Sequence, residues 1–346
     1  FNDKVILGYD FFNDDNDPMD DNHHGTHVAA TAAGDGLLKG VAPGADILAY
    51  KVLDNNGGAF ISDIITAIET IVNPDGDPMT PDNPADVISM SIGAPGSVGD
   101  PFSQSVDNAV LAGSVVVVSA GNSGPGGNTD CRHSILDGGT ESLCSPSVAR
   151  KSLAVGSSCS PAQVQKAMDC VSDPAFCSSI ESRLVFQCLG PVSSFSSRGP
   201  TNLNTLKPDV VAPGSEICAA KTSQPAWGPF GPPPDCIDSE HILLLGTSMA
   251  APHVAGLAAI MLQKYPDWSP DEIKMAIRGT TTDLGRDPIA QGYGQIDALA
   301  ALQDDRRPCV AEITEVTRRV DAGFEDKYTS GGTASCFDGL SEWRLE

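Results

Sequence analysis

Three positions in this sequence combine the side chains needed for acyl transfer: Ser248, Asn122 and one of the histidines at 23, 24 and 27. Ser248 lies in Gly246-Thr247-Ser248-Met249-Ala250-Ala251-Pro252-His253-Val254-Ala255-Gly256, where small residues at the mouth of an apolar helix would let a peptide backbone approach the hydroxyl. A serine hydroxyl is a weak nucleophile until a base takes its proton. At a helix start, the amide groups and the positive end of the dipole favour the negative charge that develops on attack. The competing role for such a serine is helix capping. The run is not the Gly-x-Ser-x-Gly elbow of α/β-hydrolases, because Ala250 stands where the second glycine belongs. Imidazole suits the base's task because its ordinary pKa lies near neutrality. His24 precedes a Gly25-Thr26 turn from which a ring can project into a cleft. Asn122 sits in Ser119-Ala120-Gly121-Asn122-Ser123-Gly124, where its amide could donate to an oxyanion, although a turn is the commoner use of such an asparagine.

Taken in order, Asp21-Asn22-His23-His24-Gly25-Thr26-His27-Val28-Ala29, the Asn122 segment and the Ser248 run resemble the subtilisin-like serine proteases, the subtilases. The resemblance extends over most of the chain. Phe195-Ser196-Ser197-Arg198-Gly199-Pro200 and Lys207-Pro208-Asp209-Val210-Val211-Ala212-Pro213-Gly214 are similar to segments that precede the serine in that family. The resemblance implies that Ser248 is the nucleophile and His24 the general base. It also implies that Asn122 and the Ser248 backbone amide hold the oxyanion. His27 matches a histidine further down the helix that packs structurally. His23 replaces a glycine of the family's Gly-His-Gly-Thr-His pattern. Ser91-Ile92-Gly93 resembles the substrate-binding strand, which pairs with an extended peptide through its backbone. Ser119, Ala120 and Gly121 would line the opposite wall of the primary pocket, and such small residues imply an open pocket with a broad or apolar preference. The alternative for both segments is an ordinary strand-to-loop turn.

The orienting acid does not follow the pattern. In the family it belongs to an Asp-Thr/Ser-Gly motif ahead of the histidine, and none precedes His24. Asp10, Asp14, Asp15, Asp17, Asp20 and Asp21 resemble the loop before the histidine instead. The acid is therefore expected upstream of Phe1, and the chain as written is expected to be nearly inactive, since losing that aspartate costs about 10⁴ in turnover. The implied function is a serine endopeptidase that works through an acyl-enzyme on extended peptides. A catalytically inactive peptide-binding homologue is the rival from another class, and the full His24, Asn122 and Ser248 set argues against it. An esterase or lipase is disfavoured by the absent elbow and the His-before-Ser order. A zinc site at His23, His24 and His27 lacks the His-Glu-x-x-His pattern, so no metal ligand is assigned. No cofactor is required. The acidic loop at 14–21 could hold a structural calcium, but it has no EF-hand spacing and reads first as a solvated loop.

Forty-five acidic residues against 21 basic ones give a net charge of −24, which argues against a nucleic-acid partner. No apolar run is long enough for a membrane span. A monomer acting on protein or peptide substrates is the expected state. The 10 cysteines include no CxxC pair, so disulfides in an oxidising compartment are expected over zinc ligands or free thiols. The implied location is secreted, extracellular.

These residues need elements to position them. Apolar patterning predicts strands at 5–9, 45–52, 87–91 and 115–118, and helices from 26–33, 61–71 and 103–112. The short apolar runs suit parallel strands buried on both faces. The alternation predicts an α/β fold, and the resemblance makes it the three-layer subtilisin-like one, a mainly parallel sheet with helices on both faces. A central helix at 248–264 and another at 270–279 follow. Residues 1–303 are expected to form the catalytic domain without its N-terminal part, interrupted by a cysteine-rich insertion at 131–191 with a short helix at 162–169. A proline-rich loop at 225–234 is a second excursion. Residues 304–346 read as an extension and the start of a truncated second unit.

Overall fold

The four valines at 115–118 form the centre of the molecule. In the computed structural model they belong to β4 (Val115–Ser119), which is buried along its whole length. The structure describes residues 2–74, 85–125, 142–173, 185–223 and 233–308, together with the backbone of strands between 310 and 345. The two faces of β4 serve two cores. Val115 and Val117 pack with Val254, Leu257 and Met261, while Val116 and Val118 pack with Ile64, Ile68, Phe102 and Val106. Side chains that alternate across a strand can fill both sides of a parallel sheet in this way.

The sheet runs β3 (Val87–Met90), β4, β5 (Leu153–Ser158), β6 (Val210–Pro213), parallel throughout. Helices α2 (Ile61–Val72) and α3 (Pro101–Leu111) cover one face, and α5 (Thr247–Lys264) and α6 (Pro270–Gly279) cover the other. This is the expected three-layer α/β arrangement. Two details differ from the sequence expectation. β1 (Val5–Asp10) and β2 (Ile47–Lys51) pair in parallel with each other, in register Gly8 to Ala49, but share no ladder with β3. β3 is also not buried on both faces: Ile88 and Met90 point into the core, whereas the polar Ser89 is exposed at the sheet edge.

The remaining elements hold the periphery. α1 (His24–Ala33) packs on α5. Gly256 makes that approach tight, because a Cβ there would lie 2.6 Å from Val41 Cβ and 2.8 Å from the Ala32 carbonyl. α4 (Pro161–Ser172) supplies the insertion's helix, started by a capping box of Ser160 and Gln163. Disulfides join Cys159 to Cys188, and Cys218 on β7 (Ile217–Ala220) to Cys236 before its antiparallel partner β8 (His241–Leu244). Cys144 and Cys170 are disulfide-bonded as well. Cys131, Cys177 and the proline-rich run at 224–232 lie outside the described residues. Beyond Leu302, β9 (Val310–Val320), β10 (Asp326–Cys336) and β11 (Gly339–Leu345) form an antiparallel sheet in the order β11-β10-β9, strands that the sequence reading of an extension there did not assign.

One polar knot sits inside this framework. The Asp209 carboxylate at the start of β6 is buried and receives Lys207 Nζ at 2.7 Å and the Ala154 amide at 2.8 Å. Lys274 Nζ and Arg278 of α6 approach it at 3.3 and 3.9 Å. Lys207 and Lys274 both donate to the Ser152 carbonyl at 2.7 Å. Burial alone would push the Asp209 carboxyl up, but Lys207, Lys274 and Arg278 outweigh it and hold it at about 2. Burial pushes Lys207 down to about 7, against the pull of Asp209. The knot ties the β5–β6 junction of the sheet to α6.

Candidate active site

Three segments meet where β3 and β4 end and α5 begins. Ser248 is the second residue of α5, and its Oγ lies 3.5 Å from the Ser91 carbonyl just beyond β3. The contact is reciprocal, for Ser91 Oγ donates to the Ser248 carbonyl at 2.7 Å. Pro252 explains why that carbonyl accepts a side chain. In a regular helix the amide of residue 252 would donate to the carbonyl of 248, and proline has none to give. The freed acceptor is tied to the strand beside it, which anchors the backbone of Ser248 to residue 91.

Asn122 follows β4 and is exposed. Its Oδ1 accepts the Thr247 amide at 2.8 Å and Thr247 Oγ1 at 3.0 Å. With the oxygen spoken for, the amide nitrogen is the side chain's remaining polar atom. A Cβ placed on Gly246 would meet Asn122 Nδ2 at 3.4 Å and the Ser248 backbone nitrogen at 3.6 Å, so the two donors lie close to one point beside Gly246. Gly246 itself has φ 145°, a backbone region that suits glycine. Thr247 is fully buried and also receives the Gly121 amide at 3.1 Å. Thr247 and Pro252 both stand in the serine run, but only their partners reveal what they position.

His24 is the first residue of α1, at the end that leads the helix. Asp20 caps this turn: its Oδ2 accepts Thr26 N at 2.7 Å and Thr26 Oγ1 at 2.6 Å, and its Oδ1 accepts Asn22 N at 2.9 Å and His23 N at 3.1 Å. Burial pushes the Asp20 carboxyl up, but these hydrogen bonds prevail and hold it below its ordinary value. Burial also lowers the His24 pKa below 6.5; the charge of Asp20 opposes this and His23 adds to it. Among the described residues no carboxylate hydrogen-bonds the His24 ring. His23 has φ 128°, a strained backbone for any residue with a Cβ, which accounts physically for the glycine in the resembling pattern. His27 is fully buried, with Nε2 2.9 Å from the Ile217 carbonyl, so its ring joins α1 to β7. Carboxylates of the acidic loop are spent on nearby amides, as Asp15 on Asp17 N and Asp17 on Met19 N.

The expected substrate-binding residues lie at the ends of β3 and β4. Ile92 is half-buried and Gly93 exposed on the β3 side. On the β4 side Ser119 and Ala120 have buried side chains, at 4% and 0% exposure, so any wall they form is backbone, and Gly121 is half-buried. The segment around Cys144 lies between them. Ala94 and Ser145 exchange backbone hydrogen bonds at 2.8 and 2.9 Å, and Cys144 N donates to the Ala120 carbonyl at 3.3 Å.

Comparison with known proteins matches residues 2–295 to the Subtilase family. The serine protease AprX of Bacillus subtilis (strain 168) is 34% identical over 305 residues, covering 85% of this chain and 61% of that protein. Subtilisin DY of Bacillus licheniformis is 32% identical over 304 residues, 87% of this chain and 85% of the relative. The subtilisin-like protease SBT1.6 of Arabidopsis thaliana is 32% identical, with 77% of this chain matched to 49% of its length. The chain thus spans well under two thirds of some of the longer relatives it matches.

Proposed function

The chain belongs to the subtilase family, and from that premise we propose that it is a serine endopeptidase in which Ser248 attacks the peptide carbonyl and His24 takes its proton. The Ser248 amide and Asn122 Nδ2 receive the oxyanion of the tetrahedral intermediate. His24 then protonates the leaving amine, and water hydrolyses the acyl-enzyme by the same base. The observation that carries this reading is the clamp of Asn122 Oδ1 by Thr247, which leaves Nδ2 beside the Ser248 amide at the start of a helix. Donors held in place before the reaction do not need to reorganise as charge develops. The substrates are extended protein or peptide segments laid along Ser91, Ile92 and Gly93. We place the protein outside the cell as a monomer; the disulfides support an oxidising location. Among the described residues no helix is long and apolar enough to cross a membrane.

His24 lacks a described carboxylate partner, and both oxygens of Asp20 are committed to the turn. If no carboxylate orients the His24 ring, turnover is expected about 10⁴-fold below that of a complete triad. A fluorophosphonate probe on the intact protein tests the assignment. Labelling is expected, and Asn122→Ala is expected to slow peptide hydrolysis by about 100- to 1000-fold while leaving the fold intact. A folded protein that binds peptides but never labels would be the inactive homologue.

The pH profile offers a second check. The base acts as neutral imidazole, so kcat/KM rises as pH climbs through the His24 pKa and is flat above it until another group titrates. Burial places that pKa below 6.5, so the acid limb is expected below pH 6.5. His23→Gly removes a neighbouring charge that lowers it and should move the limb to higher pH.

A further inference from the structure

Resting on the protease reading, the geometry points to Cys144 as the floor of the slot for the substrate side chain just before the cleaved bond, and to cleavage after small uncharged residues such as alanine, glycine or serine.

An extended peptide paired with residues 91–93 brings its carbonyl carbon to Ser248 Oγ, 3.5 Å from the Ser91 carbonyl, with the carbonyl oxygen turned to Asn122 Nδ2 and the Ser248 amide. The side chain on that residue must then descend between the backbone of 91–93 and that of 119–121. Glycines at both walls make the entrance wide, which is why the sequence alone suggests an open pocket. The structure fills its depth. A Cβ on Gly93 would lie 2.8 Å from Cys144 Cβ and 3.3 Å from its Sγ. A Cβ on Gly121 would lie 2.7 Å from the same sulfur and 2.9 Å from Ser197 Oγ. One sulfur therefore sits within a methyl group's reach of both walls.

Cys144 cannot withdraw. Its side chain is 5% exposed, its amide is held by Ala120, and the next residue is doubly hydrogen-bonded to Ala94. Its sulfur is committed to a disulfide, so it has neither rotamer freedom nor a thiol to ionise. Among the described residues the surrounding side chains, Ser91, Ile92, Ala120, Cys144 and Ser197, are all neutral and offer a charged substrate residue no counter-ion.

The test is a panel of peptide p-nitroanilides differing only in the residue before the cleaved bond, assayed with the intact protein and with Cys144→Ala. The intact protein should cleave after alanine with a kcat/KM at least about tenfold above phenylalanine and lysine. Cys144→Ala should bring phenylalanine up to within about threefold of alanine while alanine itself changes little, as expected when depth rather than chemistry has changed. Phenylalanine accepted as well as alanine by the intact protein overturns the proposal without needing the variant, as does an unchanged ratio in Cys144→Ala. Either result with normal fluorophosphonate labelling at Ser248 leaves the protease reading standing. Absence of labelling in the folded protein overturns both.

Discussion

Ser248→Ala is expected to lower peptide turnover by about 10⁶-fold in a protein whose catalytic groups are all assembled, the scale seen when the matching serine or histidine of subtilisin is removed. The size of the loss is itself informative. Catalytic groups that act as a unit are grossly non-additive, so a chain in which His24 already lacks an orienting carboxylate has less to lose. There the further cost of Ser248→Ala falls to about 100-fold, the ratio between losing the whole triad and losing the aspartate alone. Measuring kcat for the wild type and Ser248→Ala in the same preparation therefore reports whether His24 is oriented. A ratio near the upper value would mean that a carboxylate reaches the His24 ring despite the commitment of Asp20 to Thr26, Asn22 and His23. No loss at all would remove Ser248 from the mechanism. Both Ser91 and Pro252 bear on this experiment, because they set the position of the Ser248 backbone but carry no part of the chemistry.

Asp209→Asn is expected to destabilise the fold strongly. The carboxylate balances buried Lys207 at 2.7 Å and buried Lys274 at 3.3 Å, with the more distant Arg278 half-buried. Neutralising it leaves Lys207 and Lys274 buried without their carboxylate. Removing one partner of a buried pair costs about 3–5 kcal/mol, and for a domain of this size that corresponds to a fall in Tm of roughly 6–10 °C. The pH dependence has a definite sign. Lys207 titrates at about 7 in the folded chain against an ordinary 10.5. Between those values the unfolded chain binds more protons, so stability from this group rises as pH increases across that window and is flat below it. Asp209 acts at the other end, since its folded pKa of about 2 lies below the ordinary 3.8. Its contribution is complete above pH 3.8 and is lost as pH falls towards 2. Thermal unfolding of wild type and variant across pH checks both statements. A change in Tm of under about 2 °C would show that the three cations do not depend on this carboxylate.

The sequence by itself was enough for the family and for most of the framework. The serine run, the His-Gly-Thr-His segment and the Ala-Gly-Asn segment are short and local, so their residue types and order carry the resemblance directly. The elements followed the same rule. The valine run became β4 buried on both faces, and the helical spacing at 61–71 became α2 with Ile64 and Ile68 in the core. Burial patterns of this kind repeat within a few residues, and a repeat within a few residues is what a sequence displays. β3 departs because burial on its second face depends on a neighbouring layer that a four-residue pattern does not describe. β9 to β11 escaped notice because their residues are largely polar.

Everything that turns those motifs into a site was decided by tertiary structure. Ser91 and Ser248 are 157 residues apart in the chain, and Asn122 and Thr247 are 125 apart. No periodicity links such positions, so no window of sequence reveals that the Ser91 hydroxyl holds the Ser248 carbonyl or that the Asn122 amide oxygen is occupied by Thr247. The strained φ of His23 is set by how the loop must enter α1, and the pressure of Cys144 on two glycine walls is set by the packing of three separate segments. Residue identity determined which chemistry was available, and close packing of distant backbone determined which atoms face the cleft and how much room lies below them.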